Sequence, residues 1–188
     1  MRSKPRSGDV RPTNAFAYAL RRLALRDHSE RELVGALSRK TFTPEEIGLV
    51  IERLRRERLL DDSRYAQRHA SARIGGRGMG RNRVRAELRR RGVARDTVEA
   101  GIAEALRDVS EAESLDAVAR RYWGQHARVA PDVRFRRLFA FLLRRGFAAA
   151  LASQRLRGLW PEWKQALDDL ESTDHPQNED CPRNARGD

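Results

Sequence analysis

The 188-residue chain has one cysteine, Cys181, and it lies in a polar tail. That excludes a disulfide framework and leads us to expect a reducing compartment. Aromatic residues are only 6% of the chain, too few for one large core. Apolar residues total 39%, and no run approaches the roughly 18 needed for a membrane-spanning helix. The opening MRSKPRSGDVRPT is basic but has no apolar run, so it does not read as a secretory signal. Lysine is scarce as well: Lys4, Lys40 and Lys164 are the only three. The positive charge is therefore almost all arginine.

That charge is large. Lys+Arg number 39 against 27 Asp+Glu, for a net charge of +12. Such a surplus implies attraction to nucleic acid or to another acidic surface. Residues 1–12 and 171–188 carry +3 and −3, so the interior holds the whole surplus. Both ends are polar and broken by Pro or Gly, and are expected to be disordered.

The interior repeats itself. LSRKTFTPEEIGLVIERL (37–54), LRRRGVARDTVEAGIAEA (88–105) and LLRRGFAAALASQRLRGL (142–159) align at spacings of 51 and 54 residues. Phe42, Val93 and Phe147 each lie five places after the opening leucine, and Leu33, Val84 and Leu138 each lie four places before it. A period near fifty suggests units that share interfaces, because one unit alone buries too little apolar surface. We place them at 13–60, 61–108 and 109–170, with net charges of +3, +5 and +4.

Each unit reads as three helices, and no segment alternates like a strand. Phe16, Leu20 and Leu23 form a helical stripe. Ser29 and Glu32 make a capping box that opens the next helix. Thr43, with Pro44 behind it, opens the third. Glycine follows the second helix in units two and three, where a helix end favours a left-handed residue. The predicted fold is all-α: an elongated array of three three-helix, helix-turn-helix-like repeats.

The paired aspartates of LLDDSRYA, Asp61 and Asp62, could suggest metal chemistry. They stand where a helix begins, however, and no companion ligands cluster in the sequence. Capping is the expected role. DHS at 27–29 has the letters of a hydrolase triad, but adjacent residues cannot converge in that geometry. His69, His126 and His175 are scattered without metal-ligand spacing and read as surface residues. GGRGMGR (75–81) lacks both the Gly-Lys-Ser/Thr ending and the preceding strand of a phosphate loop, so it reads as a flexible connection. No catalytic residue, metal or cofactor is assigned.

The candidate contacts are arginines. Arg77, Arg81, Arg85, Arg89 and Arg90 belong to the second unit, where only Glu87 interrupts the basic run. Arg134, Arg137, Arg144 and Arg145 are expected to decorate the outside of the third. Trp123, Trp160 and Trp163 could stack on bases, although packing is the commoner use of tryptophan. Asn82 and Arg83 open the one helix suited to reading base edges, and no dimerisation heptad follows.

The opening ALRRLALRDHSERELVGALSRKTF, the junction RLLDDSRYA, the helix pair GRNRVRAELRRRGV and the later FLLRRGF occur in that order. Together they resemble the RecX family of bacterial recombination regulators, over residues 15 to about 160. Thr41 stands where the resemblance expects a turn glycine, and GFAAALASQRL is poorer than expected in large apolar residues. The resemblance implies three tandem three-helix repeats. It also implies a non-enzymatic modulator, mainly an inhibitor, of the RecA recombinase, acting on its filament on single-stranded DNA. ATP hydrolysis, strand exchange and co-protease function would be restrained. The chain would be cytoplasmic, away from membranes, monomeric when free, and able to hold duplex DNA non-specifically. The alternative is an independent DNA-binding protein that uses its helix-turn-helix-like units.

Overall fold

A computed structural model describes residues 12–160. The expectations for the two tails, for Trp163, His175 and Cys181, and for the end of the third unit lie outside these residues. Nine α-helices and no strands are present among the described residues. The first group is α1 (Pro12–Leu25), α2 (Glu30–Ser38) and α3 (Pro44–Arg56); the second is α4 (Asp62–Ser71), α5 (Arg81–Arg90) and α6 (Arg95–Asp108). The third is α7 (Glu111–Gln125), α8 (Pro131–Arg144) and α9 (Ala149–Leu159).

Local chemistry sets the helix starts. Ser29 Oγ accepts the Glu32 N–H while the Glu32 carboxylate accepts the Ser29 N–H, which closes the capping box of α2. Thr43 and Glu46 do the same for α3, with Pro44 supplying a helical φ at the first position. Arg53, Arg55 and Arg56 then complement the negative end of that helix.

Each group has its own core. Leu33, Leu37, Ile51 and Leu54 anchor the first, while Ile74, Val84, Leu88 and Ile102 anchor the second. Phe135, Leu138, Leu142 and Phe147 anchor the third. Fully burying one such side chain contributes about 1.5–3 kcal/mol. In the second unit α4 and α6 cross closely: a Cβ on Gly101 would lie 2.6 Å from that of Ala66. α9 forms despite its small residues, burying Ala152, Ser153 and Leu156.

The turns between second and third helices explain how the units join. Gly92 and Gly146 have φ of +85° and +89°. At the equivalent place Thr41 has φ of +63°, so a β-branched residue occupies a left-handed conformation there. At the two inner turns the preceding unit is docked. Ser29 Oγ donates to the carbonyl of Arg91 (2.5 Å), and the Gly80 N–H donates to that of Arg145 (2.9 Å). The residue capping the second helix of one unit thus bonds the carbonyl just before the turn glycine of the next. An added Cβ on Gly92 would lie 2.1 Å from Arg31 Cδ, and one on Gly146 would lie 2.4 Å from the Arg83 nitrogen. The sequence suggested glycine as a helix terminator; here it is also the contact point of the joint.

Candidate functional surface

The joints redistribute the arginines. Arg91 Nη1 donates to Glu32 (3.2 Å) and to Tyr65 Oη (2.9 Å), tying unit two back to unit one. Its counterpart Arg145 donates through Nη1 to the carbonyls of Arg77 (2.6 Å) and Gly78 (2.8 Å). Arg145 is therefore a fastening of the second joint and does not simply decorate the outside. The Gly75–Gly80 segment is also held. A π-helical turn (Ala72–Gly76) extends α4, the Met79 N–H donates to the Arg73 carbonyl, and Gly78 takes a φ of +57° against Val118. It is a pinned connection, not the flexible one expected.

Other candidates are matched by carboxylates from distant helices. Arg85 forms a two-pronged pair with Glu99 (2.6 and 2.9 Å). The Arg81 backbone N–H (2.7 Å) and Nε (2.5 Å) both donate to Glu111, which is buried. Arg134 lies 3.7 Å over the Trp123 ring and donates to the Trp123 carbonyl. Trp123 and Trp160 pack on each other at 4.9 Å beside the third core. That leaves Arg77, Arg89, Arg90, Arg137 and Arg144 exposed, with no carboxylate paired to their guanidiniums among the described residues.

Of the clefts that adjoin the joints, two occupy related places in the repeat. The first, of about 560 Å³, is lined by Arg31, Arg73, Arg90 and Arg91 together with Glu32 and Glu87. Glu87 is saturated: His69 Nε2 donates to it at 3.2 Å, and Arg73 and Arg83 approach within 3.3 and 3.5 Å. Burial raises its carboxyl, but these donors outweigh that and hold it below the usual carboxylate range. His69 is largely buried, contrary to the surface placement expected, and burial pushes its pKa down. His126 is half-buried and stacks on Tyr122 at 4.0 Å. The second cleft, of about 520 Å³, lies between the pinned glycine segment and α7. Its lining includes Arg77, Arg121 and Arg145 but no carboxylate.

The aspartates have distinct structural partners. Asp61 caps α4 by accepting the N–H groups of Ser63 (2.9 Å) and Arg64 (3.0 Å). Asp62 instead reaches across to α2 and accepts the N–H of Glu30 (2.9 Å). Half-burial is the main force raising its carboxyl pKa. Among the described residues no three His, Cys, Asp or Glu side chains converge as metal ligands, and no helix is long and apolar enough to cross a membrane.

Reasoning from the sequence missed Arg31, Arg121 and Tyr122 as cleft residues, and did not single out Arg73 and Arg91 from the basic run around them. A usable signal lay in the 54-residue repeat offset, which places Phe141 where the second unit has Glu87.

Three family models match in the observed order: the first, second and third three-helix domains of RecX, over residues 15–54, 61–102 and 110–156. The regulatory protein RecX of Thermobifida fusca is 34% identical over 160 residues, covering 83% of this chain and 86% of its own. That of Trichlorobacter lovleyi is 37% identical over 150 residues, covering 79% and 97%. The crystal structure of RecX from Lactobacillus salivarius shares the fold at a TM-score of 0.68 and 16% identity, covering 79% of this chain and 96% of that one. With three matching domains in series and relatives aligned over most of their length, the chain belongs to the RecX family of regulatory proteins.

Proposed function

We propose that this protein modulates the RecA recombinase, mainly as an inhibitor, by binding its filament on single-stranded DNA. The observation that carries this reading is the family membership, established over all three units. The exposed, unmatched arginines supply the physical means. Arg77, Arg89 and Arg90 in unit two and Arg137 and Arg144 in unit three spread positive charge over successive units. Several weak contacts along a filament gain effective concentration from one another. The protein would act in the cytoplasm, as a monomer when free, without enzymatic chemistry of its own.

Independent operator reading is disfavoured by the joint. A recognition helix presents its N-terminal residues to base edges. Here the backbone at the start of α5 is docked on unit three, the Gly80 and Asn82 N–H groups donating to the carbonyls of Arg145 and Gly146. The Asn82 and Arg83 side chains are bonded to Arg85 and Glu87. Non-specific binding of single or double strands through phosphates needs no such access.

The test is ATP hydrolysis by RecA on single-stranded DNA, with this protein titrated well below one per recombinase. Inhibition is expected at concentrations too low to coat the DNA. The folded variant Arg89→Glu/Arg90→Glu should raise the half-inhibitory concentration by about tenfold, as lost phosphate or acidic contacts would. Inhibition that appears only once bare DNA is saturated would refute filament-directed action.

A further inference from the structure

The two clefts occupy related places in the repeat but differ in chemistry. In the first, Glu87 neutralises the surrounding cations. In the second, its counterpart is Phe141, whose ring lies 4.8 Å from that of Tyr122. His126 stacks on Tyr122 and the Arg145 guanidinium lies 5.2 Å from the Phe141 ring centre, so the floor is the part of the two rings these partners leave open. Val118 adds apolar wall, and the exposed guanidiniums of Arg77 and Arg121 stand at the rim. Gly76 leaves its backbone bare, since a Cβ there would meet nothing within 4 Å. A volume of about 520 Å³ falls within the range of small-molecule sites, roughly 300–1,000 Å³.

An apolar, aromatic floor beneath unmatched cations fits a ligand that is flat and apolar at one end and anionic at the other. We infer that the cleft between units two and three takes one unstacked nucleotide of a single DNA strand, its base on the Val118, Tyr122 and Phe141 floor and its phosphates at Arg77 and Arg121. A base inside a duplex cannot present its face to such a floor, so the cleft distinguishes single from double strands. The first cleft has the cations without the floor and is limited to phosphate contact. This deepens the nucleic-acid part of the function proposed above and rests on it.

The experiment uses the full chain and a short oligothymidylate carrying one 2-aminopurine, with no recombinase present, so its failure leaves the ATP-hydrolysis test standing. Binding should change the 2-aminopurine fluorescence as the base leaves its neighbours for the aromatic floor. Arg77→Ala/Arg121→Ala alters exposed residues and should keep the helical circular dichroism. It should weaken binding about tenfold and abolish the fluorescence change. Arg89→Ala/Arg90→Ala should weaken binding yet preserve that change at saturation. Phe141→Glu, which transplants the carboxylate of the first cleft, should also abolish it if the variant folds. No fluorescence change with the unaltered protein, or a change that survives in Arg77→Ala/Arg121→Ala, would overturn the inference. Free deoxyadenosine monophosphate competing as well as the oligonucleotide would overturn the strand as the source of the nucleotide.

Discussion

The two joints share a plan and differ in materials. At the first, Arg91 is held by a carboxylate and a phenol, Glu32 and Tyr65, and the adjoining cleft is lined with charge. At the second, Arg145 is held by two backbone carbonyls, and the adjoining cleft is floored by aromatic and aliphatic groups. The same fastening can thus be built from ionisable side chains or from main chain. Two histidines stand at the first. The buried His28 is next to the capping Ser29, and its ring nitrogens meet the Arg26 carbonyl (2.8 Å) and Arg22 (3.2 Å). The largely buried His69 is bonded to Glu87.

The sharpest way to separate the joints is to crowd their turn glycines. In Gly146→Ala the new methyl would meet the Arg83 nitrogen at 2.4 Å and its Cα at 2.9 Å, so backbone must move. In Gly92→Ala it would meet Cδ, Cβ and Cγ of Arg31 at 2.1, 2.6 and 2.7 Å; Cδ and Cγ can rotate away and the Cβ alone is fixed to backbone, so less must move. Both substitutions also strain a positive φ. We expect a loss of about 3 kcal/mol for Gly146→Ala and about 1–2 for Gly92→Ala, measured by urea unfolding. Equal losses would mean that both joints yield alike.

Acid should loosen the first joint selectively. Burial pushes His28 and His69 down from 6.5, so the native state binds fewer protons than the unfolded one in that window. Their contribution is present above pH 6.5 and is lost as pH falls through the lowered native values. Glu87, held below its usual 4.5, acts in the same direction at lower pH. Amide exchange in α2, α4 and α5 should therefore quicken between pH 7.5 and 5.5, after correction for intrinsic rates, while α8 and α9 stay protected. Uniform loosening would contradict the contrast between the joints.

The smallest effect concerns the outer turn, which neither joint uses. Thr41 sits at φ +63°, and a non-glycine residue there costs roughly 1–2 kcal/mol. Thr41→Gly should raise stability by up to about 1 kcal/mol, partly offset by the entropy of glycine. A fall in the thermal midpoint would show that the Thr41 hydroxyl, bonded to the Lys40 carbonyl at 2.6 Å, matters more than the strain.

Much of the fold was legible because its signals are local. Ser29 with Glu32, Thr43 with Pro44, and the recurring leucines each act within a turn or two of helix. The candidate surface was less legible because its neutralisation is long-range. Glu99 and Glu111 lie 14 and 30 residues from the arginines they match, on α6 and at the start of α7. Counting charge along α5 alone therefore overstated what Arg81 and Arg85 have free. Asp62 makes the same point: it opens α4 in sequence yet bonds the first turn of α2 in space.

The joint has a direction, with a plug on one unit and a socket on the next, and such head-to-tail contacts leave a series with two unlike ends. Lengthening the protein is therefore not symmetric. The socket of the first unit already contains the Cβ of Thr41, at the place where glycine makes room for Arg31 and Arg83 elsewhere. A duplicated second unit spliced into the middle would set the Gly80 plug against the Arg91 socket, which in this chain takes Ser29 and Glu32. At the turn of the first unit, the threonine Cβ therefore stands where the two inner joints have bare backbone.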